Sequence, residues 1–293
     1  MKILLYNSFP FHHEMLGFFL HYCTTKKIEA SVYNPNDNEK FLEGYQILNY
    51  KFELTNNIHP DSYDFVIILT DSDNGYPKEY IRRDKTITIC HWYIKRNMLI
   101  QKQIPVGPFN RQDGTYRSDF ILPVNKLVNL EKKLEIWPIT NIRVIVVGRF
   151  VPESVSELDL FNSDVGNVTF TIISRWSPHP EIMKDPRVTF KQETSAAEMW
   201  SDVCNSEYLW ILDHNPHHVK GFSISASVAL AFSALTTLLI PEKMNRHLRL
   251  RSAVTYTPNS PIHLPLPDIK LVSEECEQFL NQGYKIFDDA LLI

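Results

Sequence analysis

Two adjacent histidines and a carboxylate, His12, His13 and Glu14, follow the first apolar run of the sequence. An imidazole titrating at about 6.5 can take a proton from a hydroxyl, and a neighbouring carboxylate can orient the ring and stabilise its charged form. These three residues are candidates for a base and its orienter, although the same turn also suits a helix cap with exposed rings. Further on, Asp71 and Asp73 in Thr70-Asp-Ser-Asp-Asn-Gly75 could receive substrate hydroxyls or hold a magnesium ion. Asp, Ser, Asn and Gly also make ordinary turns, and the distal Glu of a calcium loop is missing. His91, Trp92 and Tyr93, followed by Lys95 and Arg96, offer ring faces on which a sugar could stack, or a packed core.

The second half carries cations where apolar runs end. Arg149 follows Ile142–Val147, Arg175 follows Val168–Ile173, and Lys191 follows Val188–Phe190. A guanidinium presents paired donors in a fixed fork, which fits a diphosphate; surface ion pairs would use the same residues. The run Lys220-Gly221-Phe-Ser223-Ile-Ser225 then leads into an alanine-rich helix and a strand. Gly221 permits close backbone approach, and hydroxyls beside a helix N-terminus suit an anion. An N-capped core helix has the same composition.

These residues need elements to hold them. Short β-branched runs at Lys2–Tyr6, Ala30–Tyr33, Asp64–Leu69 and Thr86–Cys90 alternate with helix-length stretches, Met15–Cys23 among them. That alternation marks βαβ units and a parallel sheet. Tyr45–Phe52 could be another short strand. From Ile104 to Ile139 four prolines and two glycines interrupt the pattern, as in loops and a linker, so a boundary is placed at residue 138, between domains 1–138 and 139–293. The rhythm then resumes at Ile142–Val147, Val168–Ile173, Val188–Phe190, Tyr208–Leu212 and Thr236–Ile240, and Ser273–Phe287 reads as a closing amphipathic helix capped by Ser273. Ligands of open parallel sheets bind beyond the carboxyl ends of the strands, which is where the candidate residues fall.

Composition narrows the classes. The 293 residues are 44% hydrophobic and 22% charged, enough to bury a core and too apolar for a disordered chain. A formal charge of −4 speaks against a nucleic-acid partner, which needs clustered cations. Cys23, Cys90, Cys204 and Cys276 form no C-x-x-C pair, so neither a zinc site nor a disulfide framework is expected, and reduced thiols point to a cytoplasmic location. The first residues lack the apolar core of a signal peptide. Val228–Ile240 is too short to span a bilayer and reads as a buried helix and strand. No Gly-x-Gly-x-x-Gly follows the first strand, which disfavours a nicotinamide dinucleotide.

Taken together, the strand-end Arg149, the run Val188–Trp200 and the loop, helix and strand of Lys220–Pro241 resemble the GT-B glycosyltransferases. That resemblance implies an α/β fold of two Rossmann-like doubly wound domains facing across a cleft, with a nucleotide-sugar donor in the second and a glycan or other hydroxyl acceptor in the first. It implies that Arg149, Arg175, Lys191 and Lys220 meet the diphosphate with Gly221, Ser223 and Ser225. The acceptor falls to Asp71, Asp73, His91, Trp92 and Tyr93. His13, nearer the helix start, becomes the base, with His12 and Glu14 beside it. Many retaining members carry two glutamates where this chain has Lys220 and Val228, so the resemblance implies an inverting, metal-independent enzyme without a cofactor. A non-catalytic nucleotide-sugar or glycan-binding protein and a nucleotide-sugar epimerase fit the same residues.

Overall fold

The computed structural model describes residues 1–7, 13–35, 39–70, 80, 84–91, 102–107, 120–135, 140–192, 194–212, 217, 220 and 224–292. The chain divides into two compact units: one of Met1–Asn125, Gly221–Ala226 and Gln278–Ile293, the other of Lys126–Lys220 and Ser227–Glu277.

In the first unit the elements are β1 (Lys2–Tyr6), α1 (His13–Lys26), β2 (Glu29–Tyr33), α2 (Glu39–Ile47), β3 (Glu53–Leu54), β4 (Phe65–Ile68), β5 (Thr86–Cys90) and β6 (Lys102–Pro105). The described strands make one parallel sheet in the order β3-β2-β1-β4-β5-β6. β1 and β4 read as apolar runs and β5 alternates Thr with Ile, as suits strands covered on both faces; Ile3, Leu4, Leu5, Ile67, Ile87 and Ile89 are fully buried. Gly17 lets α1 sit tightly, since a Cβ there would lie 2.3 Å from Asn125 Nδ2 and 2.7 Å from Tyr45 Oη.

The remaining elements are α3 (Leu130–Glu135), β7 (Ile142–Val147), α4 (Val155–Leu158), β8 (Phe161–Ser163), β9 (Val168–Ile173), α5 (Pro180–Lys184), β10 (Val188–Lys191), α6 (Ala196–Cys204), β11 (Tyr208–Trp210), α7 (Ala226–Ser233), β12 (Thr237–Pro241), α8 (Glu242–Leu248), β13 (Val254–Tyr256), β14 (Ile262–Leu264) and α9 (Ile269–Leu291). The second sheet is again parallel, in the order β10-β9-β7-β11-β12-β13, and β8 pairs with β14 beside it. Its core is aromatic as well as aliphatic: Phe161 meets Phe170 and Trp210 edge-on at 5.1 and 4.7 Å. Residues of α9 from Gln278 onward belong to the first unit, where Phe287 packs edge-on against Phe19 at 4.6 Å and Tyr22 donates to Asp288 at 2.9 Å.

Two sheets of six parallel strands are the expected α/β class. Local readings needed correction. Tyr45 lies in a helix, because Leu42 and Tyr45, three residues apart, share one buried face. Lys102–Pro105 is a strand within the stretch read as a linker; β6 is the sheet edge, where a proline removes no ladder hydrogen bond. The last helix starts at Ile269, capped by Asp268, whose Oδ1 accepts from Leu271 N–H at 3.0 Å, so Ser273 lies inside it. None of the four cysteines is in a disulfide, and burial pushes the Cys23 and Cys276 thiols up to about 12, which keeps them protonated at neutral pH. Among the described residues no helix is long and apolar enough to cross a membrane.

Lys133 of α3 is 3% exposed, and its ammonium donates to Cys204 O at 2.5 Å, Ser206 O at 3.0 Å and Thr236 Oγ1 at 3.1 Å. Three neutral oxygens satisfy the donors without supplying a full countercharge, so burial lowers the pKa from 10.5 to about 8. Between these values the unfolded chain binds more protons than the folded one, and stability contributed at this site rises with pH; below pH 8 the full desolvation cost is present. Measured by urea unfolding, the parent should gain on a Lys133→Met variant by on the order of 2 kcal/mol from pH 7.5 to 10. A pH-independent difference would rule out a buried ammonium.

Candidate functional site

The register of the second sheet sets the site. Val147 pairs with Ile173, and Ile173 with Lys191, so three strands end at one level. Gly148 N–H donates to Ile173 O at 3.0 Å, and Ser174 N–H to Lys191 O at 3.2 Å, carrying the ladder one residue past the strands. Arg149, Arg175 and Trp176 follow directly, on the carboxyl edge where ligands of parallel sheets bind. Gly148 has φ +117°, a conformation L-residues rarely adopt, and among the described residues no atom lies within 4 Å of where its Cβ would be.

The cations at this edge are held differently. Lys191 Nζ lies 2.7 and 2.8 Å from the two carboxylate oxygens of Asp202 on α6, a helix fixed by a reciprocal cap between Ser195 and Glu198. Capping hydrogen bonds hold the Glu198 carboxyl below its usual range. Arg149 and Arg175 have no carboxylate partner among the described residues. The Arg149 guanidinium instead lies 5.7 Å from the centroid of the Trp176 ring. Four other arginines of this unit do have carboxylate partners, among them Arg143 with Glu207 at 2.6 Å and Arg187 with Asp185 and Asp159 at 2.7 Å each, the others being Arg246 with Glu242 and Arg251 with Glu275. Lys220 is exposed. Gly221 and Ser223 lie outside the described residues, and Ser225 is half-buried just before α7. Ser227, which sequence reasoning passed over, donates through Oγ to Val147 O at 3.2 Å and ties the first turn of α7 to the end of β7.

In the first unit the described residues just past β1 and β4 are polar and uncharged. Asn7 follows β1 and Thr70 follows β4 by two residues; they are 1% and 7% exposed, and among the described residues Asn7 Oδ1 and Thr70 Oγ1 have no hydrogen-bond partner. Asn7 Nδ2 donates to Asn34 Oδ1 at 3.1 Å. His91, expected to face an acceptor, is buried with Nε2 3.0 Å from Leu69 O. His13 opens α1, and Glu14 follows half-buried in its first turn. His12, Asp71, Asp73, Trp92 and Tyr93 lie outside the described residues.

No protein-family model matches the sequence, and no curated protein matches it. Solved structures do match over the whole chain. A glycosyltransferase involved in avilamycin A biosynthesis, AviGT4, has a TM-score of 0.59 at 9% identity, covering 100% of this chain and 98% of its own. Anabaena HepE in complex with UDP-glucose gives 0.50 at 11% identity, with 100% and 94% covered. The UDP-GlcNAc 2-epimerase of Neisseria meningitidis bound to UDP-GlcNAc gives 0.50 at 10% identity, covering 100% of both. The structural neighbours include GT-B glycosyltransferases, and this chain has the GT-B fold.

Gly148→Ala meets no clash but forces a side chain onto φ +117°, so it should destabilise the protein by about 1–3 kcal/mol in urea unfolding. An unchanged midpoint would show that the end of β7 relaxes freely.

Proposed function

We propose that this chain is a glycosyltransferase that binds a nucleotide-sugar through its second unit and transfers the sugar to a hydroxyl acceptor. Arg149 and Arg175 carry the reading: two cations without carboxylate partners among the described residues, aligned by register at the carboxyl ends of β7 and β9. Guanidinium forks left with open donors match the paired oxygens of a diphosphate. UDP-sugars bound to HepE and to the Neisseria epimerase, both of this fold, make a uridine diphosphate the first donor to test. Lys220, the last residue of the second unit before the segment Gly221–Ala226 that belongs to the first, is assigned to the same group. Lys191 joins it only on release from Asp202. The acceptor is assigned to the first unit, with Asp71, Asp73, Trp92 and Tyr93; buried His91 is left out.

In the proposed reaction His13, oriented by Glu14, accepts the proton of the acceptor hydroxyl. The oxygen then attacks the anomeric carbon from the face opposite the leaving group. The new C–O bond forms as the bond to the phosphate oxygen breaks, and the configuration inverts. The nucleoside diphosphate leaves with its added negative charge facing the arginines, whose fixed donors stabilise the transition state without a metal ion or cofactor.

The epimerase reading has its own support, since the Neisseria enzyme matches with the same TM-score as HepE. Incubation with UDP-, GDP-, ADP- and TDP-sugars separates the readings. Slow donor hydrolysis, accelerated by an acceptor, supports transfer; interconversion of donor sugars without acceptor supports an epimerase; binding without turnover identifies a non-catalytic module.

Arg149→Ala and Arg175→Ala should each weaken nucleoside-diphosphate binding by about 1.5–3 kcal/mol, the worth of a hydrogen bond to a charged group, with little change in thermal midpoint. Calorimetric titration checks this, and parental affinity in both variants would remove the pair from the site. His13→Ala should lower kcat by roughly 10²–10⁴-fold while leaving the donor dissociation constant in place. Undiminished turnover would reject His13 as the base.

A further inference from the structure

Trp176 is 51% exposed, yet its backbone is firmly anchored. Its N–H donates to Ser174 Oγ at 3.0 Å, Gln192 Nε2 donates to the preceding carbonyl, Arg175 O, at 3.2 Å, and Ser174 N–H is held by Lys191 O. The loop is therefore fixed from both sides while much of a large apolar ring stays in solvent. What the ring does meet is the Arg149 guanidinium.

The choice of partner has a chemical consequence. A free arginine side chain carries about 2 kcal/mol of rotamer entropy, and restraining it in advance removes part of that loss on binding. A carboxylate would restrain it too, as Asp202 restrains Lys191 and Glu207 restrains Arg143, but it would neutralise the charge and occupy the N–H donors. An indole face attracts the cation through its quadrupole, which leaves the charge in place and the in-plane donors open.

We propose that Trp176 is a positioning residue for diphosphate recognition: its ring holds the Arg149 guanidinium in place without neutralising it. The inference rests on the donor assignment above and deepens it, because Trp176 acts through Arg149 on the anionic group and not through the base of the nucleotide.

The test titrates the full chain with UDP and, separately, with inorganic pyrophosphate, for the parent, Arg149→Ala, Trp176→Leu, Trp176→Phe and the Arg149→Ala/Trp176→Leu double variant. Trp176→Leu should weaken both ligands about two- to fivefold, the worth of an exposed cation–π contact. Trp176→Phe should recover most of that, and the double variant should bind no more weakly than Arg149→Ala. Loss of UDP affinity with pyrophosphate affinity intact would overturn the proposal and make the ring a stacking face for the base. Multiplying effects in the double variant, or no effect of Trp176→Leu on either ligand, would also overturn it. A parent that binds neither ligand would instead refute the donor assignment, a result distinct from any Trp176 outcome.

Discussion

The alignment of Val147, Ile173 and Lys191 across three parallel strands is the constraint on which the second unit's chemistry depends. These residues are separated by 26 and 18 positions in the sequence, and only the ladder brings their carboxyl ends together. Side chains alternate along a strand, so slipping β9 by one residue against β7 would reverse every inward and outward position. Phe170 and Ile172 would then leave the core they share with Val144 and Val146, so burial enforces the register. Because the ladder runs one residue beyond the strands, through Gly148 and Ser174, Arg149 and Trp176 inherit that alignment.

The two edges of this sheet treat charge in opposite ways. At the amino edge Glu207, 3% exposed, takes Arg143 through its backbone N–H at 2.6 Å and through its guanidinium, and Lys133 is enclosed by Ser206, Cys204 and Thr236. A buried charge stripped of its partner is strongly destabilising, so these groups are committed to the fold. At the carboxyl edge Arg149 and Arg175 have no carboxylate partner among the described residues, at little cost to folding because both are exposed. Lys191 is the exception there, tethered to Asp202. Charge is thus satisfied at the amino edge, and two cations at the carboxyl edge keep their donors toward water.

Much of this was legible because strands of a covered parallel sheet are rich in β-branched residues, Thr as well as Val and Ile. Lys2–Tyr6, Thr86–Cys90 and Val168–Ile173 are strands at the expected bounds, and Ile142–Val147 follows the same rule. Three-residue strands such as β8, β13 and β14 hold too few residues to show a period, and β14 forms only because β8 accepts it. Residue type likewise exposed Arg149 and Arg175 as strand-end cations. It could not expose their surroundings: Asp202 reaches Lys191 from a helix eleven residues on, and Trp176 reaches Arg149 through a register that no local pattern encodes. His91 shows the converse, an imidazole whose type suggested ligand contact and whose buried place beside Leu69 O depends on the pairing of β5 with β4.

The two sheets share a strand order, yet their carboxyl edges differ in kind. The first sets Asn7, Thr70 and His91 at the ends of β1, β4 and β5, all uncharged or weakly basic and all buried. The second sets Arg149 and Arg175 past β7 and β9, both exposed. Neutral amide and hydroxyl groups can exchange hydrogen bonds at little electrostatic cost, whereas they cannot offset a diphosphate; guanidinium groups can. The duplicated topology thus supplies two carboxyl edges, and among the described residues those edges differ in both charge and burial.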